Sequence, residues 1–195
     1  MYVIFEGVDT SGKSTQIELL KREREDIVAT KEPGGTKIGE RIREIVLFEG
    51  VKSEIAETFL FLADRAEHFK EVVKPALDEN RIVISDRGFI SGIAYRMANN
   101  EKEDLDFLIK LNLLALENTL PDKVVFFKTS KELIKSRISG KRRDLIESRG
   151  EDYLLKVQDY MEKVIKKLNL DYIIIDAKES IEKINKTIKG YVFDD

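Results

Sequence analysis

Residues 7–14 have the sequence Gly-Val-Asp-Thr-Ser-Gly-Lys-Ser, in which a glycine is followed after four residues by Gly-Lys-Ser. In a loop of this spacing that opens a helix, backbone N–H groups surround a polyphosphate. Lys13 would reach its β and γ oxygens, and the hydroxyl of Ser14 could bind Mg²⁺. We therefore expect a nucleoside triphosphate to bind here.

The loop needs a strand before it and a helix after it, and the sequence supplies both. Apolar, mostly β-branched runs occur at residues 2–5, 27–30, 82–85, 124–127 and 172–175, with helical patterns between them. This alternation predicts an α/β fold with a parallel sheet that is covered on both faces. We expect one domain over residues 1–195 with a three-layer P-loop NTPase fold, in which helices flank a mainly parallel five-stranded sheet.

Charge and composition exclude several classes of protein. The 34 Lys and Arg residues nearly balance the 37 Asp and Glu residues, and both signs are interspersed, so a nucleic-acid tract is not expected. No apolar run approaches the roughly 18 residues of a membrane span. The chain has no cysteine and one histidine, His68, so thiolate and histidine metal sites are not expected. We expect a cytoplasmic protein.

Residues 53–79 carry an apolar stripe at helical spacing, which we expect to face the core: Ile55, Phe59, Leu62, Ala66, Phe69, Val73 and Leu77. At about 100° per residue, Phe61 and Arg65 lie together on another face. Either Phe61 packs against a second neighbour and Arg65 is solvated, or the two side chains meet a ligand. The spacing does not decide between these alternatives.

Residues 140–147 form a basic segment, Gly-Lys-Arg-Arg-Asp-Leu-Ile-Glu, between two helical patterns. In a phosphoryl-transfer enzyme, such a loop can close, exclude water and bring arginines to the developing charge. We therefore predict a lid at about residues 138–150. The alternative is a solvated basic loop.

Four further motifs follow the phosphate loop. Residues 32–36, Glu-Pro-Gly-Gly-Thr, come after the second strand, and Arg43 lies about two turns along the next helix. Phe61 and Arg65 come next, and Asp86-Arg87 closes the third strand ahead of Ser91 and Tyr95. Because ligands bind beyond the carboxyl ends of parallel strands, these elements should converge on one crevice.

In this order the motifs closely resemble the thymidylate kinase family, the nucleoside-monophosphate kinases that make dTDP from dTMP. The resemblance covers nearly the whole chain. It rests on residues 5–9, 12–16 and 32–36, on Leu60-Phe61 with Arg65, and on Asp86-Arg87 with Ser91, Gly92, Ala94 and Tyr95. It implies in-line transfer of the ATP γ-phosphoryl group to dTMP, with Mg²⁺ as cofactor. It also implies a homodimer packed through helices, to which the apolar helical segment 105–116 is a candidate contributor.

The expected site residues fall into four groups. The ATP site is expected to contain Gly7, Val8, Asp9, Thr10, Ser11, Gly12, Lys13, Ser14, Thr15 and Arg137. The dTMP site is expected to contain Asp9, Glu32, Arg43, Phe61, Arg65, Arg87, Ser91, Tyr95 and Arg96. The expected catalytic residues are Lys13, Arg87, Arg142 and Arg143. The residues expected to organise the metal are Ser14, Glu32 and Asp86.

The resemblance implies a specific role for each acceptor-site residue. Asp9 would contact the 3′-hydroxyl of dTMP, and Arg43 and Arg87 would hold its 5′-phosphate through bidentate forks. Phe61 would stack on thymine, Arg65 would hydrogen-bond an edge of the base, Ser91 would contact the nucleotide, and Tyr95 would crowd the sugar C2′. Because the acceptor phosphate is already anionic, with a second pKa of about 6, no strong general base is needed.

Departures from the family pattern concern the transition-state cation. Thr10 stands where some members carry an arginine in the phosphate loop. Members without that arginine carry catalytic basic residues in the lid, which favours Arg142 or Arg143. Leu145 replaces an arginine that such lids often contain, so Lys141 and Arg149 remain alternatives.

Two departures touch the acceptor pocket. Gly88 stands where many members carry an aromatic residue, and Arg96 replaces a glutamine that lies near thymine in many bacterial members. We expect Arg96 still to permit thymine preference. Comparing dTMP with dUMP and dCMP turnover tests that expectation.

Two other functions compete with this prediction. The first is another small P-loop kinase with a different acceptor, against which Phe61, Arg65 and Tyr95 argue. The second is a nucleotide-dependent switch, but a guanine-reading Asn-Lys-x-Asp motif is missing from the sequence. A switch would also leave Arg43 and Arg87 without a role.

Overall fold

The computed structural model describes residues 1–138, 145 and 147–194. The predicted lid cations Lys141, Arg142 and Arg143 lie outside these residues. Within them, the sheet has five strands: β1 Tyr2–Glu6, β2 Ile27–Lys31, β3 Ile82–Asp86, β4 Lys123–Lys128 and β5 Tyr172–Asp176. Their order is β2-β3-β1-β4-β5 and every pairing is parallel, which confirms the predicted parallel sheet.

Helices connect the strands. The first half of the chain forms α1 Lys13–Glu23, α2 Lys37–Glu44, α3 Glu54–His68, α4 Lys74–Asp78 and α5 Phe89–Asn99. The second half forms α6 Leu105–Ala115, α7 Lys131–Ile138, α8 Glu151–Lys167 and α9 Ile181–Phe193. Short π-helical segments lie at Ile45–Glu49 and Phe69–Val73, and a 3₁₀-helical turn lies at Glu147–Arg149. Among the described residues, no helix combines the length and apolar character required to cross a lipid bilayer.

Alternation along β1 divides the core into two layers. Val3 and Phe5 pack with the buried apolar residues of α1 and α9. Tyr2 and Ile4 point to the opposite face and pack with those of α5 and α8. Because successive strand residues point to opposite faces, a fully apolar strand can bury both sides between helices. This arrangement confirms the three-layer prediction.

The predicted orientation of the helix at residues 53–79 is wrong for its first half. Ile55 and Phe59 are 57% and 58% exposed, whereas Arg65 is only 2% exposed. The reason is that α3 lies beside the carboxyl edge of the sheet, where Arg65 reaches the buried carboxylate of Glu32. Further along the same segment, Phe69 is buried in the core as expected.

Helix α6 packs against α3 and divides its apolar residues between the core and the surface. Leu108 and Ile109 are buried, but Phe107 and Leu114 are 56% and 74% exposed. Two packed helices therefore each present large apolar side chains to solvent. We call these four residues the α3–α6 apolar face: Ile55, Phe59, Phe107 and Leu114.

Candidate active site

The phosphate loop joins the end of β1 to the start of α1. Gly12 precedes α1 with a φ of 103°, and Gly7 has a φ of 143°. A Cβ atom on Gly7 would lie 2.7 Å from the carbonyl oxygen of Phe127. No side chain fits at that distance, so the loop can follow this path only with glycine at position 7.

Lys13 is the first residue of α1, and its ammonium group points back into the loop. Its Nζ donates to the carbonyl oxygens of Gly7 and Val8 at 2.9 and 3.0 Å. Burial and the nearby Arg87 charge lower the pKa of Lys13, against the opposing effect of the Asp86 and Asp9 carboxylates. The loop thus holds a buried cation at the N-terminus of a helix, where anions bind favourably.

A cleft of about 610 Å³ opens over the loop. It is lined by loop residues from Asp9 to Thr15 and by Lys31, Glu32, Arg43, Asp86, Arg87 and Arg137. Arg137 donates to the carbonyl oxygens of Thr10 and Ala177, at 2.8 Å in each case, and so ties α7 to the loop. Each of the four motifs predicted to converge at this edge contributes residues to this cleft or to a cavity beside it.

Ser14 and Asp86 line the cleft and carry oxygen atoms that could bind a metal ion. The Ser14 hydroxyl donates to Oδ2 of Asp86 at 2.6 Å, and Oδ1 of Asp86 lies 3.8 Å from the Nζ of Lys13. The described residues contain no group of three or more His, Cys, Asp or Glu that could hold a metal ion. Mg²⁺ commonly binds through one or two protein oxygens, water and substrate phosphates, so this pair fits it.

A second cavity adjoins the cleft. Its lining residues are Asp9, Glu32, Pro33, Arg43, Leu47, Phe61, Arg65, Arg87, Gly88, Ser91, Gly92 and Tyr95. Four of these residues also line the phosphate cleft: Asp9, Glu32, Arg43 and Arg87. The prediction that Phe61 and Arg65 share a face of α3 is confirmed because both side chains line this cavity. The alternative of a solvated Arg65 is wrong.

Arg87 lies in the wall that the two cavities share. Its backbone has a φ of 72°, in the sparsely populated left-handed region. Its Nη1 donates to the carbonyl of Gly7 at 2.7 Å and to Oγ of Ser91 at 3.1 Å. Its Nη2 forms an ion pair with Oδ1 of Asp9 at 2.8 Å.

The carboxylate of Asp9 completes this wall. Burial opposes its ionisation, but the positive charges of Arg87 and Lys13 outweigh that effect and hold the pKa of Asp9 below its ordinary value. Arg43 approaches from α2, where its Nη1 donates to the carbonyl of Pro33 at 3.0 Å. The shared wall therefore contains two guanidinium groups and two carboxylates, those of Asp9 and Glu32.

Arg65 is fixed by a buried polar network. Its Nε donates to Oε2 of Glu32 at 2.9 Å, its Nη1 to Oδ1 of Asn112 at 2.6 Å, and its Nη2 to the Gly88 carbonyl at 3.2 Å. Nδ1 of His68 lies 2.9 Å from the other oxygen of Glu32. Burial opposes ionisation of Glu32, but Arg65 and His68 outweigh it and hold the pKa of Glu32 below its ordinary value.

Two predicted residues have other partners in this structure. Both carboxylate oxygens of Glu32 accept hydrogen bonds from Arg65 and His68, so Glu32 supports Arg65 rather than standing open beside Ser14. Arg96 forms ion pairs with Glu54, at 2.8 Å, and with Glu103. It lines a neighbouring pocket that shares Phe61, Arg65, Gly92 and Tyr95 with the cavity that contains Asp9, but it does not line that cavity.

The sequence predictions missed three buried polar residues that support the site. Glu6 and His68 are both fully buried, and Asn112 is nearly so. A usable signal exists for two of them: Glu6 follows an apolar strand run, and Asn112 interrupts an apolar helical pattern. Since an isolated polar residue in a buried element needs partners, both positions indicate a local network.

Known proteins resemble this chain over almost its full length. The sequence model of the thymidylate kinase family matches residues 5–188. The thymidylate kinase of Sulfurovum sp. (strain NBC37-1) is 50% identical over 192 residues, which cover 98% of this chain and 99% of that protein. The thymidylate kinase of Campylobacter curvus (strain 525.92) is 51% identical over 194 residues, with the same coverage.

A solved structure agrees with the sequence comparisons. The crystal structure of thymidylate kinase from Ehrlichia chaffeensis superposes with a TM-score of 0.76 at 26% identity and covers 96% of each chain. The family match, the two relatives and the structural neighbour agree with one another. The chain belongs to the thymidylate kinase family.

Proposed function

We propose that this protein transfers the γ-phosphoryl group of ATP to the 5′-phosphate of dTMP across the wall shared by its two cavities, with Mg²⁺ bound at Ser14 and Asp86. As a thymidylate kinase family member, it is an ATP-dependent phosphotransferase that acts on dTMP. One observation supports this assignment of the site above all. Asp9, Arg43 and Arg87 line both the phosphate cleft and the adjoining cavity, so donor and acceptor phosphates would meet there.

On the donor side, the loop amides and Lys13 would hold the β and γ phosphates of ATP. On the acceptor side, Arg43 and Arg87 would hold the 5′-phosphate, since guanidinium groups match phosphate oxygens in a bidentate fork. The position of Arg87 supports this role, because its guanidinium group lines both cavities. When bound, Mg²⁺ neutralises charge on the β and γ phosphates.

The far end of the acceptor cavity would hold the nucleoside. Phe61 would stack on thymine, and Tyr95 would crowd the sugar C2′ and so favour deoxyribose. Asp9 would accept from the 3′-hydroxyl, and Ser91 would contact the nucleotide. Arg65 would present a remaining N–H to the base, and because a guanidinium only donates, it favours a carbonyl oxygen over an amino group.

The chemistry requires positioning and charge neutralisation more than proton transfer. The acceptor phosphate has a second pKa of about 6, so its oxygen is already a competent nucleophile near neutral pH. Phosphoryl transfer then depends on alignment of the two phosphates and on cations placed around the moving group. Lys13, Arg43 and Arg87 supply those cations within the described residues.

A screen of nucleoside monophosphates with Mg·ATP tests this function, and F61A tests the acceptor assignment. Wild-type protein should release ADP when dTMP is added, and faster than with dUMP or dCMP. F61A should raise the KM for dTMP by about tenfold or more, because base–aromatic stacking contributes about 1–3 kcal/mol, and should leave the KM for ATP unchanged.

Phe193, a half-buried phenylalanine on α9, provides the matched control. F193A should leave the KM for dTMP unchanged. Absence of dTMP-dependent ADP release from the wild-type protein would contradict the function. A normal KM for dTMP in F61A would contradict the assigned acceptor cavity.

We also propose that a second copy of this chain covers the α3–α6 apolar face, and that the dimer works in the cytoplasm, where both nucleotides occur. Scattered exposed apolar residues are normal, but four large ones on two packed helices favour a partner. F59E should therefore convert a wild-type dimer to a monomer in size-exclusion chromatography with light scattering.

Ile181, on α9, supplies the control for F59E. It is 51% exposed. Helix α9 packs on the face of the sheet that carries Val3 and Phe5, whereas α3 packs against α5, which covers the other face. I181E should leave the mass in solution unchanged. A wild-type protein that is monomeric at micromolar concentration would contradict the proposed dimer.

A further inference from the structure

Glu6 is a fully buried carboxylate beside the acceptor cavity. It is the last residue of β1 and directly precedes the phosphate loop. Side chains alternate along a strand, so Glu6 points to the same face as Tyr2 and Ile4, toward α5. A charged group in this place requires hydrogen-bonding partners.

Glu6 accepts its hydrogen bonds from residues at the start of α5. Its Oε1 accepts from the backbone N–H of Gly88 at 3.0 Å and from that of Ser91 at 3.1 Å. Its Oε2 accepts from the Ser91 hydroxyl. Gly88 is the N-cap residue of α5 and has no side chain to cap the helix. Glu6 on β1 therefore caps the N-terminus of α5, a role that the side chain of the N-cap residue usually has.

This arrangement also fixes the direction of a hydrogen bond at Ser91. An ionised carboxylate can only accept, so the Ser91 hydrogen is committed to Glu6. The lone pairs of Ser91 are then available to Arg87, whose Nη1 donates to Oγ of Ser91 at 3.1 Å. The donors run in one direction, from Arg87 to Ser91 to Glu6.

We propose that Glu6 is a positioning residue that holds Arg87 for the acceptor phosphate by fixing the Ser91 hydroxyl as a hydrogen-bond acceptor. This inference rests on the proposed function only in that Arg87 contacts the 5′-phosphate of dTMP. Glu6 itself touches neither nucleotide. Substitution of Glu6 should therefore lower the affinity for dTMP and leave the affinity for ATP unchanged.

The protonation of Glu6 gives this role a pH signature. Burial raises the pKa of Glu6 to about 7, against the opposing effects of the Ser91 hydrogen bonds and of the Arg87 and Lys13 charges. Above that pH the carboxylate accepts from Ser91. Below it, the protonated carboxyl can donate to Ser91 and turn the hydroxyl hydrogen toward Arg87, which weakens the contact. Affinity for dTMP should fall as Glu6 gains a proton.

The substitution E6Q imitates the protonated state with nearly the same shape. Its oxygen must remain on the two backbone N–H groups, so its NH₂ group faces the Ser91 hydroxyl. At pH 8.5 we expect E6Q to raise the calorimetric Kd for dTMP by about tenfold, the size expected when a hydrogen bond to a charged group is lost. The Kd for ATP should be unchanged.

The ratio of the E6Q to the wild-type Kd for dTMP is then measured between pH 8.5 and pH 6. Both proteins bind the same ligand, so titration of the dTMP phosphate cancels in this ratio. We expect the ratio to fall from about ten toward one as the pH drops through 7. Below that pH the wild-type carboxyl gains a proton, loses the stronger hydrogen bond of the charged form and comes to resemble the amide of E6Q. A ratio that does not change with pH, or an equal loss of ATP affinity, would overturn the proposal.

Two further variants separate positioning from a purely structural role. D122N is the matched carboxylate-to-amide control, since Asp122 accepts from the N–H of Tyr2 at the other end of β1. It should leave the affinity for dTMP unchanged at every pH. In an S91A background, E6Q should have no further effect on dTMP affinity, because contacts in one network are not additive.

S91A also keeps the test open if E6Q does not fold. Without the Ser91 hydroxyl, the ratio of the S91A to the wild-type Kd should fall by a similar factor across pH 7, and loss of the nucleotide contact proposed for Ser91 should keep this ratio above one at every pH. If the effects of E6Q and S91A on the Kd for dTMP were fully additive, the proposed hydrogen-bond chain from Arg87 through Ser91 to Glu6 would be refuted. A wild-type protein that binds dTMP but releases no ADP would contradict the proposed function and not the role of Glu6.

Discussion

Substitution of Lys13 by methionine is expected to lower kcat by about 10³-fold, which corresponds to about 4 kcal/mol of transition-state stabilisation. The ammonium group of Lys13 is buried and held by the carbonyls of Gly7 and Val8, so it is oriented before substrate arrives. Such a fixed charge stabilises the moving phosphoryl group without reorganisation. Methionine keeps the length of the side chain and removes its charge.

The measurement is the rate of dTMP-dependent ADP release at saturating substrates. Lys128 provides the control, since it ends β4 and pairs with Glu162 at the surface. K128M should retain the wild-type rate. Melting temperatures of both variants should show that the fold is intact. If K13M kept a kcat within tenfold of wild type, Lys13 would not be the principal cation at the donor phosphates.

Removal of the decisive lid arginine is expected to cost on the order of 10³-fold in kcat, by analogy with arginine fingers. We propose that Arg142 or Arg143 has this role in a lid at about residues 138–150, because Thr10 leaves the phosphate loop without an arginine. Described residues in and beside this segment contact residues that line the two cavities. Arg137 donates to the carbonyl of Thr10 in the phosphate cleft, and the N–H of Leu145 donates at 3.2 Å to the carbonyl of Leu47, which lines the acceptor cavity.

R142A and R143A are therefore compared one at a time in the same assay. One of them should lose most of kcat with little change in the KM for dTMP. R149A serves as the reference and should stay within a few-fold of wild type, since Arg149 donates to Asn99 and Tyr153 and is not among the residues that line the phosphate cleft. Wild-type rates in both R142A and R143A, or a large loss in R149A, would move the role to another cation.

The strands and the phosphate loop were predictable because their signals are local. Continuous β-branched runs predicted five strands, each of which ends within one residue of the observed end. The spacing of Gly7, Gly12 and Lys13 predicted a strand–loop–helix unit, which the structure contains. Convergence of Glu32, Arg43 and Arg87 then followed from a general property of parallel sheets.

The orientation of α3 was not predictable from its periodicity. Periodicity gives the angles between side chains but does not say which face meets the core. In this helix the face with Arg65 and His68 is buried, because Glu32 offers them a partner 33 and 36 residues away in the sequence. The apolar face with Phe59 lies at the surface instead.

Glu6 and Arg96 show the same limit at the level of single residues. Glu6 meets Ser91 across 85 positions of sequence, and neither residue type alone indicates that contact. Arg96 pairs with Glu54 and Glu103, which lie on different elements. Partners of this kind depend on tertiary packing. A sequence motif therefore identifies the residue but does not predict where its side chain points.

The network around Arg65 constrains any attempt to engineer a different base preference. Acceptance of an aminopyrimidine would call for an acceptor at position 65 in place of the guanidinium. Such a change would leave Glu32 buried without its main counterion, close to Asp64, whose pKa is already raised to about 6 by burial and by the Glu32 charge. A retargeted enzyme would therefore need coordinated replacements at positions 32, 64, 65 and 112, because the residue that we propose reads the base also neutralises the buried carboxylate of Glu32.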